Sequence, residues 1–136
     1  MRVEFVVPGT PCAKGRPRFG RGKVYTPEAT RNYEEWVAWH ARVAMKGKEL
    51  LRGPLSLRFK AVYPIPASWS QKRRAANLVK PEWKGTRPDI DNVEKALTDA
   101  CNQTVFSDDG QIALLLDCMK VWGERPRVEV AFAELP

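Results

Sequence analysis

Soft metal ligands and disulfide-forming residues are scarce in this chain, which has three cysteines and one histidine in 136 residues. Cys12, Cys101 and Cys118 are odd in number, widely spaced and without a C-x-x-C pair, and only His40 could complete a soft-metal site. This scarcity argues against a disulfide scaffold and against a zinc finger. Cys101 falls on the apolar face of a predicted helix and Cys118 within a predicted strand, so we expect buried structural thiols in a reducing cytosol.

Long apolar runs are also missing, since no stretch reaches the roughly 20 residues that span a bilayer. No signal peptide precedes the first predicted strand, at residues 2–7. We therefore expect a soluble, cytoplasmic protein that has no membrane partner.

Acidic residues are the minority charge: 23 Lys and Arg stand against 16 Asp and Glu, which gives a formal net charge of +7. Such a balance favours a polyanionic partner over a neutral small molecule, and we expect no small-molecule cofactor. The alternative is a soluble protein that is merely basic. The net charge alone does not distinguish a protein with a polyanionic partner from one that is merely basic, so the positions of the charges have to decide between them.

The apolar pattern predicts one small α+β domain that spans residues 1–136. Predicted strands lie at residues 2–7, 55–63, 112–121 and 127–132, with a short return at Val24 and Tyr25. Two main helices are predicted, one from Thr26-Pro27-Glu28 to about Lys46 and one from Asp91 to about Cys101. We therefore expect a mixed sheet of about four strands packed with two main helices.

The first predicted helix has one face that we expect to be packed, formed by Tyr33, Trp36, Val37, His40 and Ala44. On this face His40 is expected to be a core or interface residue rather than a ligand.

Two segments outside the regular elements are strongly basic. Residues 14–23 carry five basic residues and no acid, interleaved with glycine and proline, which is typical of an exposed arm or hairpin. Residues 64–87 form a polar surface loop region, with room for one short helix, that contains Lys72, Arg73 and Arg74. We expect these two segments to bind a phosphate backbone through Lys14, Arg16, Arg18, Arg21, Lys23, Lys72, Arg73 and Arg74. Trp69 and Trp83 could stack on unpaired bases, although core or interface packing is the favoured interpretation.

Aspartates gather around the start of the second predicted helix. Asp91-Asn92-Val93-Glu94 has the outline of a capping box with Asp91 as N-cap, so a structural role for Asp91 is a serious alternative. Asp89 has no such role, and at two residues' distance in extended backbone it points to the same side as Asp91. Asp108-Asp109-Gly110 supplies a second pair, for which a simple turn is the alternative.

A divalent cation would relieve the crowding of these four carboxylates, and oxygen ligands select a hard ion such as Mg²⁺, with Mn²⁺ as a possible substitute. Such a site can hydrolyse a phosphodiester. Lys95, one turn after Asp91, could hold the scissile phosphate or its developing negative charge; the alternative is a solvated lysine that balances its acidic neighbours.

The ordered motifs of the chain resemble those of the RusA-type Holliday junction resolvases, also called crossover junction endodeoxyribonucleases. These motifs are RPDIDN, a lysine three residues past the asparagine, a helix ending near Asp99-Ala100-Cys101-Asn102, and Ser-Asp-Asp-Gly-Gln before a strand. The segments PCAKGRPRF and YTPEATRNYEEW are similar to the phage and prophage branch, which implies the cytosol of a bacterial host.

The resemblance implies functions for individual residues. Asp89 and Asp91 would bind Mg²⁺ together with Asp109, with Asp108 beside it, and Lys95 would be the catalytic lysine. Arg87 and Lys120 match basic positions of the family and are candidate DNA contacts, an exposed strand lysine being the alternative for Lys120. Family members are homodimeric α+β proteins that cut four-way DNA junctions by paired, symmetric incisions. A two-fold substrate also needs two acidic clusters, which independently favours a dimer.

Two positions depart from the family pattern. Arg87 stands where a lysine is common, which keeps the charge. Gln103 stands where a glycine often follows the helix, so we expect Asn102 to take the left-handed turn.

Two alternatives to a Mg²⁺-dependent junction endonuclease stay open at this stage. The first is a branched-DNA-binding module without catalytic activity, in which the acidic cluster is structural and the basic arm provides affinity. The second is a nuclease that shares the site but acts on RNA or on branched flaps.

Overall fold

A computed structural model describes residues 1–15, 18–20, 23–25 and 28–136 of the protein, with only the backbone described for 18–20 and 23–25. These residues form one α+β domain with three helices, a mixed five-stranded sheet and a separate two-stranded hairpin. The strands are β1 (Arg2–Pro8), β2 (Arg18–Gly20), β3 (Lys23–Tyr25), β4 (Leu55–Pro64), β5 (Ile112–Leu115), β6 (Met119–Gly123) and β7 (Arg127–Glu134). The helices are α1 (Glu28–Met45), α2 (Gln71–Val79) and α3 (Ile90–Cys101).

The sheet is built on the central strand β7, which pairs antiparallel with β1 on one side and with β4 on the other. Alternation along these three strands aligns apolar residues in rows, for example Phe5, Val130 and Phe59 across the sheet. All three residues are at most 9% exposed, because this face of the sheet is covered by helices. The opposite face bears the alternate, charged residues of the same strands.

The predicted strand at residues 112–121 is wrong as a single element, because it divides into β5 and β6. Both pieces run parallel to β4, β5 beside its first residues and β6 beside Lys60–Pro64. Between them Asp117 takes a positive φ of 47°, which breaks the extended backbone. The sheet in the described residues therefore has five strands rather than about four, and its outer edge on this side is interrupted around Asp117.

The helix α1 confirms the predicted helix over its described residues, but its buried face differs from the predicted one. Thr30, Val37, Ala41 and Met45 form the buried stripe. Trp36 is 44% exposed, and its indole Nε1 donates to the carbonyl of Pro8 at 2.8 Å. The prediction that Trp36 is packed is therefore wrong.

The helix α3 packs Val93, Ala96, Leu97, Ala100 and Cys101 into the core, which confirms its predicted apolar face. The left-handed residue after it is Gln103, with φ of 62°, and not the predicted Asn102. The positive φ thus stays at the position where the family often has glycine. The Gln103 side-chain Nε2 donates to the carbonyl of Ser107 at 2.6 Å, a contact that helps to hold this conformation.

The two basic segments have distinct structures. The strands β2 and β3 pair as an antiparallel ladder, and the residues of their turn, 21 and 22, lie outside the described part of the chain. Within residues 64–87 the helix α2 begins after Ser70, whose side chain accepts the backbone N–H of Arg73. This adds a third helix to the two main ones that were predicted. None of the helices in the described ranges is long and apolar enough to cross a membrane.

Candidate active site at the start of α3

The helix α3 begins at Ile90, so the prediction that Asp91 is its N-cap is wrong. Asp89 holds the N-cap position with extended backbone, and its carbonyl accepts the N–H of Val93 at 3.2 Å. The Asp89 side chain makes no capping hydrogen bond. Asp91 lies in the first turn, where its Oδ1 accepts the adjacent N–H of Asn92, at 3.0 Å, and no other hydrogen bond from the described residues. The capping-box explanation for the acidic motif is thereby removed.

The carboxylates of Asp89 and Asp91 are exposed at the positive end of the α3 dipole, which favours negative charge there. Within the described ranges neither forms an ion pair with a lysine or arginine. They are therefore accessible acids that no described cation neutralises.

Asp109 lies in the same region, although it belongs to the second acidic motif, which follows α3 in the chain. It begins a short 3₁₀ turn, Asp109–Gln111, that leads directly into β5. Asp91, Lys95 and Asp109 line one cleft between α3 and β5, together with Glu94 and Thr98. Asp89 lines an adjoining cleft that shares Asp91. The structure thus brings three of the four predicted aspartates to one end of α3.

Asp108 is placed differently from its neighbour. Its Oδ1 accepts the N–H of Gly110 at 3.1 Å, and the side-chain Oε1 of Gln111 accepts the N–H of Asp108 at 3.1 Å, which completes a reciprocal capping box. The side chain of Asp108 lines another cavity, beside Glu49 and Arg52. Asp108 therefore stabilises the turn that presents Asp109, and its own predicted function as a metal ligand is not supported by this geometry.

The described residues contain no group of three His, Cys, Asp or Glu side chains close enough together to hold a metal ion. The donors along the two clefts are nevertheless of the right kind for a hard cation, since they are carboxylates with no described ion pair. Cys118, the one thiol nearby, is half-buried, and burial raises its pKa, which opposes thiolate formation. The donor set therefore fits Mg²⁺ or Mn²⁺ better than zinc.

Lys95 is the cation nearest to these acids on α3. Its side chain is 59% exposed, and its Nζ lies 3.7 Å from Asp99 Oδ1, a distance typical of a weak helical pair. The ammonium therefore remains able to contact an anion in the cleft.

Lys14 anchors the base of the basic arm instead of projecting into solvent. Its Nζ lies 2.6 Å from Glu34 Oε1 and 3.1 Å from Asp99 Oδ2, and its backbone N–H donates to the Asn92 carbonyl. Burial opposes the charge of Lys14, but the hydrogen bonds to Glu34 and Asp99 outweigh burial and raise its pKa. These contacts fasten the arm to α1 and to the first turn of α3.

The side chains of the other four basic residues of the arm are not among the described ones. Arg16 and Arg21 lie outside the described residues, and so do the side chains of Arg18 and Lys23. Their predicted contacts with DNA remain predictions.

Two of the three basic residues of α2 bind other groups of the protein. Arg73 forms two 2.9 Å hydrogen bonds to Glu82 and lies over the Trp69 ring at 3.7 Å. Arg74 donates to the carbonyls of Pro66 and Trp69. Lys72 is exposed, as is Arg87 beside the aspartates.

The two tryptophans of this region have opposite environments. Trp69 is half-buried under Arg73 and meets Trp122 edge-on, at 5.9 Å between ring centroids, which agrees with the favoured packing interpretation. Trp83 is 70% exposed and lines the cleft that contains Asp89. The packing interpretation is therefore not supported for Trp83 within the described chain.

The sequence reasoning missed Lys84. This lysine is only 8% exposed, and its Nζ donates to Thr86 Oγ1 at 2.7 Å and to the carbonyl of Arg87. Burial, and then the nearby charge of Lys120, lower the pKa of Lys84. No periodic pattern marks Lys84, because it lies in an irregular segment whose packing depends on distant strands.

Lys120, predicted as a DNA contact with an exposed strand lysine as the alternative, is half-buried and hydrogen-bonded within the protein. Its Nζ donates to the carbonyls of Thr86 and Pro88, at 2.7 and 2.6 Å. Lys120 is thus bound to the backbone that precedes Asp89.

Comparison with known proteins identifies the family of the chain. Residues 8–132 match the family model for Endodeoxyribonuclease RusA. The chain is 33% identical to Uncharacterized protein YqaN of Bacillus subtilis (strain 168) over 142 aligned residues, which cover 98% of this chain and 96% of the relative. It is 40% identical over 55 residues to Crossover junction endodeoxyribonuclease rusA of Lactococcus phage r1t, with 40% of this chain and 41% of the phage protein covered. The chain therefore belongs to the RusA family of endodeoxyribonucleases, as its motifs had indicated.

Proposed function

We propose that this RusA-family endodeoxyribonuclease resolves four-way DNA junctions by Mg²⁺-dependent hydrolysis of one phosphodiester in each of two opposing strands. The observation that carries the proposal is the cleft at the start of α3, where Asp91 and Lys95 from the helix and Asp109 from the following turn line one space. Asp89 adjoins it through the cleft that it shares with Asp91.

Asp89, Asp91 and Asp109 would hold the ion, with Mn²⁺ as a possible substitute for Mg²⁺. Bound there, the cation would supply an acidified water and stabilise negative charge on the departing oxygen. Asp91 and Asp109 would hold the ion from the cleft between α3 and β5 and Asp89 from the adjoining cleft, and the ammonium of Lys95 would contact the scissile phosphate. Asp108 has no direct function in the reaction, and acts through the turn that carries Asp109.

The DNA backbone would be bound by the cations that the protein does not use internally. Lys72 and Arg87 are exposed on the described surface, and the predicted arm residues Arg16, Arg18, Arg21 and Lys23 would extend the basic surface. Lys14, Arg73, Arg74 and Lys120 already have protein partners, so we assign them to support rather than to direct DNA binding.

A homodimer would supply the two active sites that paired incisions need. The uncovered edge of β5 supports this part of the proposal. β4 pairs with one side of β5, and the described residues place no strand on its other side. Leu114, Leu115 and Leu116 are 41%, 48% and 36% exposed there, beside the catalytic cleft. A second copy at this edge would cover apolar surface and unpaired backbone groups that are otherwise left to solvent.

The proposal is tested by cleavage of an end-labelled synthetic four-way junction, with and without Mg²⁺, using the wild type, Asp91→Asn and Lys95→Met. We expect the wild type to make paired nicks in opposing strands, and only when Mg²⁺ is present. We expect Asp91→Asn to bind the junction without cleaving it. A matched linear duplex, a flap and an RNA junction are the substrate controls.

Three results would contradict the proposal. Cleavage by Asp91→Asn at the wild-type rate would remove Asp91 from the site. Equal cutting of flaps or RNA would indicate a different substrate. Tight junction binding with no product at any Mg²⁺ or Mn²⁺ concentration would instead indicate a branched-DNA-binding module.

A further inference from the structure

Two lysines hold the segment that leads into the acidic helix start. Lys84 donates to Thr86 Oγ1 and to the Arg87 carbonyl, and Lys120 donates to the carbonyls of Thr86 and Pro88. Every carbonyl from residue 86 to residue 88 therefore has a lysine ammonium as partner. The next residue is Asp89.

The backbone fastens the same segment to the sheet. The N–H of Lys84 donates to the Lys120 carbonyl at 2.9 Å, and the N–H of Trp122 donates to the Glu82 carbonyl at 3.1 Å. The segment thereby covers the edge of β6, and the side chain of Lys84 turns inward, with its Nζ at 5.0 Å from the Tyr63 ring centroid and 4.8 Å from that of Trp122.

This arrangement is costly, because it places a nearly buried ammonium close to a second lysine. An apolar side chain would fill the space between the two rings without that cost. It would not bind the carbonyls before Asp89, which Lys84 and Lys120 do.

The helix α3 needs such support, because the Asp89 side chain does not cap it. A freely exposed carboxylate at the N-cap can bind a ligand, but it contributes nothing to fixing the start of the helix. Other groups must then fix Asp89 and Asp91 relative to Asp109, which arrives on a separate turn.

We propose that Lys84 is a positioning residue of the nuclease: together with Lys120 it clamps residues 86–88 to β6 and so fixes Asp89 and Asp91 for catalysis. The proposal rests on the function proposed above for these aspartates. Lys84 contacts neither DNA nor the reacting atoms, and it acts through the backbone that it binds.

The variant Lys84→Met tests this inference by keeping the length and apolar stem of the side chain while removing its charge and donors. Lys48→Met is the matched control, since Lys48 is exposed between α1 and β4 and lies far along the chain from the acidic motif. Lys120→Met is the second variant, and it removes the other half of the clamp from a less buried position. The combined Lys84→Met/Lys120→Met variant measures whether the two lysines act on one segment.

Three quantities separate positioning from binding: amide hydrogen exchange of residues 86–92 in the metal-free protein, junction affinity without metal, and the single-turnover cleavage rate with Mg²⁺. For Lys84→Met we expect faster amide exchange in residues 86–92 and an unchanged junction affinity. The cleavage rate should fall by about a hundredfold, because a small displacement of catalytic groups can lower a rate by that factor. Lys48→Met should match the wild type in all three. The double variant should be no slower than the slower single variant, because both lysines hold the same segment.

Two results would overturn the inference. A loss of affinity as large as the loss of rate would make Lys84 a DNA contact, and unchanged exchange with an unchanged rate would make the clamp irrelevant to the site. If Lys84→Met does not fold, the same criteria apply to Lys120→Met. Failure of the proposed function gives a different result: the wild type itself would then not cleave, while exchange in residues 86–92 would still respond to Lys84→Met.

Discussion

The open face of the sheet and the cleft at the start of α3 both carry charged side chains, but the two regions differ in how these side chains are paired. On the open face charged side chains pair with one another: Arg2 with Glu4, Arg58 with Asp117 at 3.2 Å, and Arg127 with Glu129 at 2.8 Å. In the cleft Asp91 and Asp109 have no such partner within the described residues. Exposed carboxylates are ordinary when neighbouring cations neutralise them. Their function becomes visible where the fold gathers carboxylates that no described cation pairs with.

The same comparison distinguishes the basic residues. Arg73 and Arg74 donate hydrogen bonds to Glu82 and to loop carbonyls, respectively. Lys72 and Arg87 are exposed. The net charge of +7 therefore does not identify the cations that DNA can contact directly. The cations that are free on the surface, rather than the total, should set the dependence of binding on salt.

The largest expected effect contrasts Asp109→Asn with Glu129→Gln. Loss of Asp109 removes a proposed metal ligand, and we expect the single-turnover cleavage rate to fall at least about a hundredfold, since loss of a mere supporting partner can already cost that much. Glu129→Gln breaks a pair on the open face and should leave the rate unchanged. Both rates are measured on the same labelled junction at saturating enzyme. An active Asp109→Asn enzyme would mean that the cleft is not the metal site.

An intermediate effect, on junction binding, is expected from substitution of the exposed cations Lys72 and Arg87. The double substitution Lys72→Gln/Arg87→Gln should weaken junction binding and reduce the slope of log K against log salt by about two, if each residue neutralises one phosphate. Arg58→Gln is the control, because Arg58 is already paired with Asp117 on the open face. Binding isotherms at four or more salt concentrations measure the slope. An equal change in the Arg58→Gln slope would show that pairing does not decide which cations meet DNA.

The smallest effect separates the two neighbouring aspartates of the turn. Asp108→Ala removes the cap of the 3₁₀ turn and should lower the free energy of unfolding by about 1 kcal/mol. Its cleavage rate should stay close to that of the wild type, because Asp108 lines another cavity. Urea unfolding and single-turnover cleavage measure the two quantities. A variant of full stability with no activity would return Asp108 to the metal site.

The sequence by itself determined the elements whose signals are local. The apolar spacing of Val93, Leu97 and Cys101 predicted the buried face of α3, because each residue's neighbours on a helix lie three and four positions away. The strand signals at residues 2–7 and 127–132 likewise predicted β1 and β7. The acidic motifs, with Lys95 and the ordered segments around them, indicated a metal-dependent nuclease and its family before any contact was known.

Only the tertiary structure decided which groups these residues meet. It placed Asp89 rather than Asp91 at the N-cap, directed Asp108 into a cap and Asp109 to the cleft, and buried Lys84 against the loop before Asp89. A carboxylate or an ammonium acquires its function from its partners. Here several of those partners, such as the strand residue Lys120 for the loop before Asp89, lie tens of residues away, where no local pattern reports them.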